Sequence, residues 1–91
     1  MRCLRIGYEM IEGSFEWLII DAIIGRAISL GASLKWRDAE GVILTFDTDD
    51  ANDVAKEIKR YIKYLVKSVR VAFEDGWVRP RPPDIFVVED C

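Results

Sequence analysis

The residues best suited to chemistry are the acidic run Asp47-Thr48-Asp49-Asp50-Ala51-Asn52-Asp53, the cysteines Cys3 and Cys91, and a series of cations from Lys56 to Arg70. The aspartates at 47, 49, 50 and 53 could attract a divalent cation, but their spacing is not that of an EF-hand loop. They fit a helix start better: carboxylates offset the positive helix end, and Thr48 is the best placed N-cap. With no His in the chain, neither Cys has an imidazole base, and Ser14, Ser29, Ser33 and Ser68 stand in no nucleophile elbow. No G-x-G-x-x-G or P-loop pattern occurs, and Ile23-Ile24-Gly25-Arg26-Ala27-Ile28 has Ile28 where a KH-type G-x-x-G loop needs its second glycine. The expectation is a protein that is not an enzyme and holds no metal or cofactor.

The cations leave two readings open. On a helical wheel Lys56, Arg60, Lys63, Lys67 and Arg70 fall within about 80° of one another. Such a stripe is a solvated face suited to the negative helix end, or it tracks a phosphate backbone, with Tyr61 and Tyr64 beside it to stack on bases. Arg79 to Pro83 either extends that surface or is a solvated connector. The whole chain, with 13 Lys plus Arg, 16 Asp plus Glu and a net charge of −3, exerts no general pull on nucleic acid, so binding would have to be local.

Cys3 and Cys91 lie far apart in sequence with no C-x-x-C spacing, which reads as two reduced thiols of a cytoplasmic protein; a staple between them requires that both ends lie on neighbouring strands. No secretory hydrophobic region follows Met1, and Asp21 interrupts the apolar run from Trp17, so neither a signal peptide nor a membrane span is expected.

The elements that must position these groups follow from periodicity. Leu4, Ile6, Tyr8 and Met10 alternate with Arg5, Gly7 and Glu9 in a strand over 2–12. Gly13 breaks it, and Ser14 can cap a helix from Phe15 to Leu30 that stops at Gly31. Leu34 and Trp36 alternate with Lys35 and Arg37, Asp38 to Gly41 makes a tight connection, and Val42, Leu44 and Phe46 complete a hairpin. Val54, Ile58, Ile62, Leu65 and Val69 form the apolar stripe of a second helix, taken to near Phe73. Ile85 to Val88 either adds a strand at the sheet edge or docks on a partner. The expected fold is α+β, strand–helix–strand–strand–helix with an optional short C-terminal strand, both helices on one face of a small antiparallel sheet. Residues 1–76 would be the domain and 77–91 a proline-containing extension.

The first helix sets the problem. Its polar residues Glu16, Asp21, Arg26 and Ser29 scatter around the circumference, so it needs cover on two sides, and a 91-residue chain has few elements for the second. A protein partner is the expected cover, with Ile43, Ile85 and Phe86 as further contact candidates.

The stretch L-T-F-D-T-D-D-A-N-D-V-A-K-E-I-K-R-Y-I-K-Y-L-V-K-S-V-R-V, a hairpin strand, an acidic turn and a helix with an aromatic–leucine pattern, resembles the small dimerising subunit of the KEOPS complex over about residues 2 to 75. The resemblance implies a non-catalytic accessory role in making threonylcarbamoyladenosine at position 37 of tRNA, as a homodimer or with a paralogue, bound to other KEOPS subunits. Carried over, Trp17, Ile20, Ile24 and Ile28 become interface residues, and Lys56, Arg60, Lys63 and Lys67 tRNA contacts. The chain departs from the family between its first helix and second strand, where Gly31-Ala32-Ser33 replaces a proline- and arginine-containing loop. That favours a paralogue standing in the place of the second copy, as the complex's fifth subunit does. The alternative is a small nucleic-acid-binding domain using the basic helix face.

Overall fold

A computed structural model describes residues 1–10, 16–47, 49, 51–73 and 76–91. The elements run β1 (Arg2–Gly7), α1 (Glu16–Ser29), β2 (Ser33–Arg37), β3 (Gly41–Phe46), α2 (Ala51–Ser68), β4 (Val71–Phe73), β5 (Gly76–Val78) and β6 (Ile85–Asp90). The main sheet has the order β2-β3-β1-β6 with every neighbouring pair antiparallel, and β4 and β5 form a separate two-stranded sheet. This is the expected α+β architecture, with both helices on one face.

The alternation in β1 and β3 decides that face. Leu4, Ile6, Val42, Leu44 and Phe46 point to the helices and join Ile19, Ile20, Ile23 and Ala27 of α1 and Ile58, Ile62 and Leu65 of α2 in one core. The expected caps Ser14 and Thr48, the break at Gly13 and the start of α1 at Phe15 lie outside the described residues. The C-terminal end of α1 is described: Gly31 has φ 98°, its N–H donates to the Ile28 carbonyl at 3.0 Å and that of Ala32 to Ala27 at 3.0 Å. This is a Schellman closure, available because glycine carries no Cβ to clash at positive φ. In the hairpin turn Asp38 Oδ1 accepts from the backbone of Glu40 at 2.8 Å and of Gly41 at 2.9 Å. These bonds, led by that from Glu40, hold its carboxyl below its ordinary pKa.

Two expectations about these elements are corrected. The second helix stops at Ser68, not near Phe73, and Val71 to Phe73 form β4. β-Branched Val66, Val69 and Val71 weaken the helix there, and pairing with β5 takes the backbone instead. In β2 the alternation of Leu34 and Trp36 fails at a bulge. Leu34 pairs with Leu44 but Trp36 pairs with Ile43, so Lys35 is the extra residue and Trp36 turns to the sheet face away from the helices. Arg37 turns to the helix side, where it ion-pairs with Asp21 of α1.

Residues past 76 are built into the fold. β6 pairs with β1 from Arg2↔Asp90 to Gly7↔Ile85. That brings the two cysteines onto adjacent strands, the condition under which a staple could form, and Cys3 and Cys91 are joined by a disulfide with Cα atoms 5.7 Å apart. The expected pair of free thiols is replaced by this bond.

Ile23 is fully buried between the sheet and α2. Truncating it leaves a cavity that the surrounding layers cannot close, so Ile23→Ala should cost about 2–5 kcal/mol of stability. In urea denaturation this appears as a lower midpoint with an unchanged slope.

Candidate interaction surfaces

α1 is covered on one side and bare on the other. Glu16, Ile19, Ile20, Ile23, Ile24 and Ala27 are buried. Trp17 is 49% exposed, Leu18 41% and Ile28 52%. At 100° per residue the exposed apolar side chains lie within an arc of about 100° that also contains Gly25. Among the described residues, nothing beyond its own stretch of helix comes within 4 Å of the place a Cβ on Gly25 would occupy. Ile20 and Ile24 therefore belong to the core, and of the expected α1 contacts only Trp17 and Ile28 face outward. Their shared 3.6-residue period made the two sets inseparable in sequence; the placement of the sheet separates them.

Beside this arc runs β2, an outer strand of the sheet. All five of its residues are exposed, including Leu34 on the helix side. Its outward backbone groups have no strand neighbour among the described residues, so an extended segment could pair there. Leu18 and Leu34 are exposed apolar residues that sequence reasoning passed over. Leu18 lacked a clear helical phase, and Leu34 looked like an ordinary inward strand residue.

The remaining expected contacts fall elsewhere. Ile43 and Ile85 are half-buried on the opposite sheet face, where with Arg5, Gly7 and Trp36 they line a shallow hollow. Phe86 is half-buried on the helix side against the core, with the Lys59 ammonium 5.7 Å from its ring centre. The seven residues do not make one surface.

On α2, Lys56, Arg60, Lys63 and Lys67 are exposed. Arg60 is paired with Glu57 at 2.6 Å. Arg70 lies past the helix end, where its guanidinium donates to the carbonyls of Lys67 at 2.8 Å and Val69 at 3.1 Å; it closes the C-terminus instead of extending the stripe. Two cations missing from the sequence reading adjoin it. Lys59 lies on the flank towards β6, and Arg26 of α1 sits 5.9 Å over the Tyr61 ring. Tyr61 stacks on Tyr64 at 6.2 Å between centroids, and Tyr64 is 61% exposed. Arg26 could not be assigned to this surface without knowing that the two helices lie side by side.

A polar cluster ties residues 79–84 to the domain. Tyr8 is buried and its hydroxyl donates to the Arg81 carbonyl at 2.9 Å, with the Arg81 guanidinium 4.7 Å over its ring. Arg81 also bonds to the Met10 carbonyl, pairs with Asp84 at 3.0 Å and lies 3.8 Å from buried Glu16. Asp84 accepts the Glu9 N–H at 3.1 Å; this bond first, and Arg81 second, hold its carboxyl below its ordinary value. In sequence Glu16 is only one of the scattered polar residues of α1, because its partner Arg81 lies far along the chain.

Among the described residues no helix is long and apolar enough to cross a membrane. Comparison with protein-family models, curated proteins and solved structures finds no match. The geometry alone thus ranks the surfaces.

Burial pushes the Tyr8 hydroxyl up from 10.0 to about 12, against a smaller lowering by Arg81. Below pH 10 the phenol is protonated in both folded and unfolded chains. As pH rises towards about 12 the unfolded chain releases a proton that the folded one keeps, so stability falls through that window. Tyr8→Phe should remove this part of the decline, measured as urea midpoints across that pH range.

Proposed function

We propose that this chain is a non-catalytic interaction subunit whose partner covers the outer arc of α1 and the free edge of β2. One observation carries the reading: Trp17, Leu18 and Ile28 stand exposed around a glycine with open space above it. Apolar side chains of this size gathered on one helix flank mark a contact surface, because burying them stabilises an assembly by roughly 25 cal/mol per Å² removed from water. The partner is a second copy or a paralogue.

Within that reading, the named assembly is the KEOPS complex acting on tRNA in the cytoplasm. Support comes from the resemblance of the hairpin, acidic turn and second helix, and from a β-α-β-β-α order with both helices on one sheet face. The short Gly31 to Ser33 link and the added β6 lie outside that pattern and favour the paralogous position.

A second reading uses a different surface. Lys56, Arg60, Lys63 and Lys67 make one exposed face of α2, and at its edge Arg26 and Arg60 stand beside Tyr61 and the exposed Tyr64 ring, a combination of cations and aromatic suited to a single nucleic-acid strand. Its specific support is that α1 contributes a cation beside the tyrosine pair.

Light scattering separates the two readings. The interaction subunit should run at twice the protomer mass, alone or with one KEOPS subunit. The double substitution Trp17→Asp, Ile28→Asp should weaken the association about tenfold or more, about 1.4 kcal/mol, without lowering the urea midpoint. A stable monomer that captures no KEOPS subunit overturns the proposal. For the second reading, single-stranded RNA should bind with an affinity that falls steeply with salt, and Lys63→Glu with Lys67→Glu should abolish it; unchanged binding removes that reading.

A further inference from the structure

None of the six residues of β6 is buried. The strand is held by its ladder to β1 and by fastenings at its two ends. At the Ile85 end, Tyr8 and Glu9 bond to Arg81 and Asp84. At the other, Arg2 pairs with Asp90 at 3.3 Å and Arg5 with Glu89 at 3.8 Å. These are solvated pairs of little strength, with the Asp90 side chain 89% exposed. The firm fastening there is the Cys3–Cys91 disulfide. Its two residues are unlike in access: Cys3 is 2% exposed, whereas Cys91 is an exposed residue.

A strand with little buried surface opens locally at low cost unless something ties it down. We propose that the Cys3–Cys91 disulfide is a redox-operated bolt on β6: its reduction lets the strand leave β1 and frees that edge of the sheet. The thiolate of a dithiol reductant attacks Cys91 Sγ, on the exposed residue of the pair, and the Cys3 thiolate departs and takes up a proton. The second thiol of the reductant, deprotonated, then attacks its own sulfur in the mixed disulfide. The Cys91 thiolate leaves and is protonated, and a cyclic disulfide is released. Two electrons and two protons have passed from the dithiol to the protein. The backbone N–H and C=O groups of β1 that β6 occupied then become available to an extended segment. The core does not depend on this step. Its strands β1 and β3 are covered by α1 and α2, and β6 contributes only half-buried Phe86 and Val88 to it.

The test is hydrogen exchange on the full chain, oxidised with glutathione disulfide or reduced with dithiothreitol, alongside a Cys3→Ala, Cys91→Ala variant. Alkylation of the oxidised protein under denaturing conditions should leave both cysteines unmodified. Reduction should speed exchange of the β1–β6 amides about tenfold or more while the amides of α1 and α2 keep their protection. The variant should match the reduced protein and ignore dithiothreitol. Should the variant not fold, reduction of the native chain still gives the answer. Free thiols after oxidation, unchanged exchange of β6, or loss of protection in the helices together with β6 would each overturn the proposal.

Discussion

The rest of the molecule depends on one imbalance: α1 carries more apolar surface than the other described residues cover. The sheet and α2 take Ile19, Ile20, Ile23, Ile24 and Ala27. Once that side is filled, α2 has been used, and β2 ends the sheet just where the other side of α1 begins. Trp17, Leu18 and Ile28 are left facing water. The same limit leaves β2 wholly exposed, since no further strand among the described residues pairs with its outer edge. An unfinished helix flank and an unfinished sheet edge thus lie next to each other, for one reason.

The opposite edge of the sheet is finished by the chain itself. β6 closes on β1, Tyr8 and Arg81 hold the approach to it, and the Cys3–Cys91 bond holds its far end. The Arg81 contacts combine a stacked guanidinium with a buried carboxylate, an arrangement in which the low dielectric strengthens each partner's hold on the other. One edge is therefore covalently secured, while the other has no strand neighbour among the described residues; on this asymmetry rest the proposed partner at β2 and the proposed redox control at β6.

Much of the fold was legible because β1, β3 and α2 have clean periods. Leu4, Ile6, Val42, Leu44, Ile58, Ile62 and Leu65 all point where two-residue and 3.6-residue spacing directs them. The surfaces were less legible. Trp17 and Ile20 have the same chemistry three positions apart, and only the direction from which the sheet approaches separates them. Trp36 was placed on the wrong face because a bulge reverses alternation without leaving a mark in residue type. Arg70 was counted on the basic stripe because the end of α2 was read five residues late.

By itself the sequence determined the order of the first five elements, the side of β1 and β3 that is buried, and an apolar excess on the first helix, since these depend on local spacing and on the transfer of side chains out of water. Tertiary structure alone decided which flank of α1 stays bare, that Arg81 meets Glu16 and Tyr8, that Arg26 joins the α2 cations, and that Cys3 meets Cys91. Those are encounters between residues far apart in the chain, set by how β6 and the helices pack, and no local pattern encodes them.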